Sequence, residues 1–202
     1  MRMRMLSILF ATLFVIAGAI SVASSRGEGE VPAPPAIGAT IEDFTLPDLD
    51  SKDHSLKSLA GKNGTVLLFI AVQCPVSNAY NERMEKLAQD YRARGINVIG
   101  INSNVKEDAA AVKAHAAEHN FTFTILKDPG NKIADKLGAS VTPEAYFLDP
   151  NNKLLYHGRI DNARNPEQIE TNDLRNALDA ALAGKAIEKT EAKAFGCTIK
   201  RA

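Results

Sequence analysis

Cys74 and Cys197 are the only two cysteines in 202 residues. A thiolate is the nucleophilic form of sulfur, so these two positions bound the covalent chemistry open to the chain. Cys74 lies in Thr65-Val-Leu-Leu-Phe-Ile-Ala-Val-Gln-Cys-Pro-Val-Ser-Asn78. The run Thr65–Val72 is rich in Val, Leu, Ile and Phe and predicts a strand buried on both faces. Cys74-Pro75 then opens a segment of helical period. The first helical turn has unpaired N–H groups and a partial positive charge, and both favour thiolate over thiol. Pro75 suits the first helical position, which needs no N–H and wants a fixed helical φ. The bland alternative is a buried free cysteine behaving as a small hydrophobe. Cys197 stands in the tail Phe195-Gly-Cys-Thr-Ile-Lys200. The 13 residues from Gly184 to Cys197 span up to roughly 43 Å when extended, so the tail can reach Cys74. Pairing with Cys74 and a free or buried tail thiol both remain open.

Other reactive residue types carry less. His115-Ala-Ala-Glu-His119 matches a histidine pattern of inverted zinc peptidases, and the two imidazoles would share a helix face. Its context is a crossover helix with no distinctive acidic helix downstream, so it reads as a solvated face. His54 and His157 read as isolated, exposed turn and strand residues. The carboxylates form no pair of predictable separation, which leaves glycosidase-like acid–base work unsupported. Gly61-Lys-Asn-Gly64 is no phosphate loop, because no Ser or Thr follows the Gly-Lys pair and a strand comes next. No cofactor and no metal site are expected.

These residues need elements to position them. After Cys74 the apolar residues Val76, Tyr80, Met84, Leu87 and Tyr91 recur at spacings of 4, 4, 3 and 4, which predicts one face of a helix ended by Gly95. Ile96–Ile101 reads as a strand, and Glu107–His119 as a helix with a stripe of Ala109, Val112 and Ala116. A strand at Thr122–Leu126 and a short helix ended by Gly138 follow. Ser140-Val-Thr-Pro143 leads into the strand Ala145–Leu148. The turn Asp149-Pro-Asn-Asn152 then returns the chain through Leu154–Ile160 as an antiparallel hairpin. The last helix carries Leu174, Ala177, Leu178, Ala181 and Leu182. Upstream, Phe44-Thr-Leu46 reads as a short edge strand. Alternating strands and helices imply parallel strands with crossover helices.

At the N-terminus, Arg2 and Arg4 precede an apolar run from Met5 to Ile20, and Ser21-Val-Ala23 supplies small residues for cleavage. This predicts a signal peptide over residues 1–23 and an exported protein, periplasmic or extracellular. Residues 24–36 are Pro- and Gly-rich and read as a flexible tether. A folded domain over 37–187 and a tail over 188–202 complete the division. With Arg2 and Arg4 removed from 24 basic residues, 22 face 24 acidic ones. Near-neutral, interspersed charge gives no reason to propose nucleic acid, or a membrane after cleavage, as a partner.

Cys74-Pro75 at a strand-to-helix junction and Thr142-Pro143 before a later strand together resemble the thioredoxin-like superfamily, within it the redoxin and peroxiredoxin-like branch. The resemblance covers roughly residues 37 to 183 and implies an α/β thioredoxin-like fold. That fold has a central mixed sheet, parallel strands plus a C-terminal antiparallel hairpin, flanked by helices. It also implies that the Thr142–Pro143 bond is cis, that Pro143 shapes the site, and that the Thr142 backbone, with Pro75 nearby, receives substrate. The departures matter. Ser77 replaces the second cysteine of Cys-x-x-Cys reductases. Peroxiredoxins carry their peroxidatic cysteine where Ser77 stands, with Thr and Pro where Cys74 and Ile70 stand. The copper chaperones of the superfamily have their second cysteine where Asn78 stands. The resemblance therefore implies thiol–disulfide chemistry with Cys74 as nucleophile, Ser77 bonding its thiolate, and Cys197 or an external thiol as resolver. Protein or small-molecule thiols and disulfides are the implied partners. The alternative is a non-catalytic thioredoxin-like module, one version of which handles metal through Cys74 and a histidine.

Overall fold

The computed structural model describes residues 31–201. The predicted signal peptide and residues 24–30 of the predicted tether lie outside the described residues. The elements in chain order are β1 (Thr45–Pro47), β2 (Asp53–Ser55), β3 (Gly64–Phe69), α1 (Pro75–Asn78), α2 (Asn81–Arg92), β4 (Ile96–Asn102), α3 (Ala109–Glu118), β5 (Thr124–Lys127), α4 (Lys132–Leu137), β6 (Val141–Thr142), β7 (Glu144–Leu148), β8 (Leu154–Gly158), α5 (Asp173–Leu182), β9 (Glu191–Ala192) and β10 (Cys197–Thr198). Among the described residues, no helix is long and apolar enough to cross a membrane.

Six strands form the central sheet in the order β5-β4-β3-β7-β8-β9. β3, β4 and β5 run parallel. β7 is antiparallel to both β3 and β8, so the expected hairpin closes the sheet. This mixed sheet with flanking helices is the thioredoxin-like α/β fold. Every residue of β3 is buried, which explains its unbroken apolar run: both sheet faces are covered. Val66, Leu68 and Ile70 join Tyr80, Met84, Leu87, Leu174 and Leu178 in one core layer. Leu67 and Phe69 face the other, with Leu46, Leu56, Ile133, Leu137 and Ile199. Cys74 lies just past the end of the most deeply buried strand.

Three local differences from the sequence reading have physical causes. The helix expected from Pro75 to Gly95 is divided into α1 and α2. Between them Tyr80 N–H bonds back to Ser77 O at 2.9 Å, a tighter turn than the α-helix. The buried Tyr80 hydroxyl donates to Asp161 at 2.9 Å and to Ala163 O at 3.0 Å. Arg83 covers its ring at 3.6 Å and draws on the Ala79 carbonyl at 3.1 Å. These tertiary bonds offset the lost helical continuity. In α3 only Val112 of the expected stripe is buried. The helix starts at Ala109 because Asp108 caps it, accepting from Ala111 N–H at 2.7 Å, while Glu107 turns inward. Finally, the tail beyond α5 is not irregular. β9 runs parallel to β8, with Gly158 at φ +144°, where a Cβ would lie 1.8 Å from Ala192 O. β10 then pairs with β6.

Candidate functional site

Cys74 caps α1 in an extended conformation, φ −97° and ψ 113°, with Pro75 in the first turn. That geometry turns its sulfur back over the turn, where it accepts the Ser77 N–H at 3.2 Å. The sulfur also faces Thr142, donating its own proton to Thr142 O at 3.3 Å. The Thr142–Pro143 peptide is cis, as expected. Ser77 acts through its backbone. Its hydroxyl, expected to bond the thiolate, instead accepts from Ala71 N–H at 3.2 Å, bracing the loop ahead of Cys74.

The tail brings the second sulfur. β10 is antiparallel to β6 in the register Cys197↔Thr142 and Thr198↔Val141. This register brings Cys197 beside Cys74, close enough that each thiol shifts the acidity of the other. Both cysteines are free thiols, Cys74 buried and Cys197 half-buried. Burial by itself would push the Cys74 thiol up. The donors around the sulfur (the Cys197 thiol, the Ser77 N–H, the Thr142 hydroxyl and the Cys197 N–H) favour the thiolate, outweigh burial and hold Cys74 below the ordinary thiol range. Cys197 is displaced the other way: burial raises it, and so does the Cys74 sulfur beside it, against a lowering bond from Val76 N–H. One sulfur of the pair is thus favoured as thiolate and the other as thiol.

Close approach of the tail depends on Gly196. A Cβ there would lie 1.9 Å from Thr142 O, so any side chain would drive β10 off β6. Beyond Cys197, Ile199 is 3% exposed and bonds Ser140 O through its N–H at 3.0 Å. Arg201 donates to Asp135 at 2.8 Å and to Ala139 O at 2.6 Å. Upstream, Phe195 packs edge-on against Tyr80 with ring centroids 6.3 Å apart.

Two buried carboxylates hold the site's loops, and neither was singled out from the sequence. Glu107 accepts from Val72 N–H and Gln73 N–H, each at 2.9 Å, and from the Asn102 and Asn104 amides. Burial raises its pKa, but these bonds outweigh it and keep Glu107 low. Nothing distinguished it from an ordinary helix-start acid. Glu144 follows Pro143 and accepts from Ser140 N–H at 2.8 Å and Val141 N–H at 3.1 Å. It also pairs with His157 at 2.6 Å. Burial again works against the charged form, and His157 with the two amides holds Glu144 below the usual carboxylate range. A signal existed here: an acid opening a fully buried strand needs a buried partner. His157 is accordingly neither isolated nor exposed, and it also stacks on Tyr146 with centroids 4.4 Å apart. His54 likewise has a partner, Asp48, at 2.8 Å.

The histidines do not join the cysteines. Among the described residues, the one grouping of three potential metal ligands is His115, Glu118 and His119, whose donor atoms lie within 4.8 Å of one another. Cys74 is not part of it, and the His115 Nε2 is already bonded to the Asn81 amide at 3.2 Å. Beside α1, an open groove of about 670 Å³ lies between Ala79, Phe195 and the segment from Asn162 to Glu170.

Residues 37–157 match the AhpC/TSA family. The chain is similar to the thiol-disulfide oxidoreductase ResA of Geobacillus thermodenitrificans (strain NG80-2), 29% identical over 59% of this chain and 67% of that protein. It is similar to the chloroplastic peroxiredoxin Q of Gentiana triflora, 30% identical over 70% of this chain and 64% of that protein. The chain thus spans about two thirds of the length of these curated relatives. A hypothetical protein from Sinorhizobium meliloti 1021 has a crystal structure with a TM-score of 0.77, at 31% identity, covering 84% of this chain and 97% of that one.

Proposed function

The chain belongs to the AhpC/TSA family, and from that footing we propose that it is a thiol–disulfide oxidoreductase whose redox pair is Cys74 and Cys197. The carrying observation is the pairing of β10 with β6, which sets Cys197 opposite Thr142, the residue whose carbonyl oxygen accepts from the Cys74 thiol. Cys74 is the nucleophile, because its thiolate is the one stabilised by surrounding donors. Cys197 supplies the sulfur that position 77 lacks, since a serine hydroxyl is far too weak an acid to attack a disulfide near neutral pH. Oxidation removes a proton from each thiol and two electrons from the pair, forms the Cys74–Cys197 bond, and reduces an external disulfide to two thiols. Thr142 and Pro143 form the wall that Cys74 faces, and Pro75 with Ser77 presents the first-turn amides.

The remaining assignments rest on the sequence. Export after cleavage near Ala23 suits this chemistry, because a periplasmic or extracellular setting lets a disulfide persist. The folded domain over 37–187 and the tail over 188–202 then act as one redox unit. Treating the reduced protein with oxidised glutathione and weighing it under non-reducing conditions tests the reading. The expected product has lost two hydrogens, with Cys74 and Cys197 joined in the peptide map. A protein that keeps both thiols across the glutathione range would overturn it.

A further inference from the structure

The two sulfurs are not equally open to a partner. Cys74 is 2% exposed, and the more exposed Cys197 is the sulfur nearer solvent. Building on the redox reading above, we propose that the outside partner is a small polar disulfide that exchanges at Cys197, while Cys74 attacks from within.

The edge of β6 is where an extended polypeptide would add a strand and present its disulfide to Cys74. That edge is already filled by the chain's own residues Cys197 and Thr198. The near-contact of Gly196 with Thr142 O leaves no gap between the strands. The tail is fastened on both sides of Cys197, by Phe195 on Tyr80 and by the buried Ile199 with Arg201. A polypeptide would have to strip all of these before reaching Cys74. A small molecule needs only the exposed side of Cys197.

The groove beside Phe195 provides room for one. Its volume of about 670 Å³ lies within the ~300–1,000 Å³ typical of small-molecule sites. Asn162, Asn165 and Gln168 line it with amides, and Arg164 and Glu170 bring opposite charges. Neither Arg164 nor Glu170 has an ion-pair partner among the described residues. A guanidinium and a carboxylate in one groove fit a molecule that carries both carboxylates and an ammonium group, as peptide-like thiols do.

Atoms and electrons balance along this route. The Cys197 thiolate, its proton released to solvent, attacks one sulfur of R–S–S–R, and the first RS⁻ leaves. The Cys74 thiolate then attacks Cys197 Sγ, the second RS⁻ leaves, and the Cys74–Cys197 bond forms. Two electrons have passed to the small disulfide, giving two RSH once protonated. In reverse, an incoming thiolate attacks Cys197 and expels Cys74. The better-stabilised thiolate is then the leaving group, which favours that direction of attack.

Oxidised glutathione is the probe, and each rate is divided by the thiolate fraction that the variant's own pH titration gives, so that thiolate content does not decide the comparison. Cys74→Ser leaves Cys197 as the sole thiol, and Cys197→Ser leaves Cys74 under an intact tail. Intact mass over time should show Cys197 glutathionylated about tenfold or more faster than Cys74, the difference being set by access. In the Cys74→Ser background, Arg164→Glu should slow the adduct about two- to fivefold, as expected for an exposed charge contact. The symmetric disulfide of an extended peptide should react with the unmodified chain more slowly than glutathione does. Equal or faster reaction at Cys74 would overturn the inference and leave the redox pair standing. Peptide and glutathione rates that match would overturn the small-partner claim. No adduct in either variant, with no disulfide in the unmodified chain, would overturn both readings.

Discussion

Replacing Gly196 by alanine should loosen the redox pair without touching either cysteine. The new Cβ would lie 1.9 Å from Thr142 O and 2.7 Å from Thr142 C, both backbone atoms that cannot swing away. Ordinary contact begins at 3.4 Å, so β10 must retreat by about 1.5 Å, which stretches the bonds of a two-residue strand past hydrogen-bond range. Two backbone hydrogen bonds at about 0.5–1.5 kcal/mol each amount to roughly 1–3 kcal/mol of docking free energy. Held less firmly, Cys197 is present at Cys74 at an effective concentration lower by roughly 5- to 150-fold. For a two-electron couple 30 mV corresponds to ~1.4 kcal/mol, so the disulfide should become easier to reduce by about 20–65 mV. Equilibrating Gly196→Ala and the unmodified protein across glutathione buffers, then quenching with acid and weighing, reads the two midpoints. Midpoints within about 10 mV of each other would mean that β10 docking does not set the pair's stability, and the argument from Gly196 would fail.

Three further outcomes are expected. The Thr142 hydroxyl is buried without a partner while Cys74 is a thiol, and it favours the thiolate; Thr142→Val should move the Cys74 titration upward, which a thiol probe followed over pH will show or refute. Glu144 is depressed in the fold, so its stabilisation is complete above the ordinary carboxylate value of about 4.3 and is lost as pH falls through its lower folded value. Denaturant unfolding should therefore show Glu144→Gln costing about 1.5–3 kcal/mol near pH 7, the gap to the unmodified protein narrowing below about pH 4; a gap constant with pH would refute the assignment. Hydrogen peroxide should oxidise the reduced protein slowly, because Cys74 is 2% exposed and the peroxiredoxin Thr and Pro are replaced; peroxide reduction relies on donors placed for the leaving oxygen. Stopped-flow rates like those of dedicated peroxidases would contradict this.

The linear chain determined whatever local pattern controls. Thr65–Phe69 announced a doubly buried strand because both sheet faces demand apolar residues. Pro75 marked a helix start, Thr142-Pro143 marked the facing loop, and Asp149-Pro-Asn-Asn152 marked the hairpin, since each depends on backbone preferences of neighbouring residues. What the sequence left open was held by contacts between distant segments. Glu107 and Glu144 became loop anchors because backbone amides 34–35 residues upstream of one, and a histidine 13 residues downstream of the other, met them in space. The break after α1 came from Asp161, 81 residues past Tyr80. β9 and β10 are two residues each, too short for any periodicity to register. Their existence rests on β8 and β6 offering unpaired edges, and on Gly158 and Gly196 leaving room for a second backbone. The nearness of Cys197 to Cys74 was for the same reason a decision of tertiary structure: the tail's length permitted many positions, and pairing with β6 selected one.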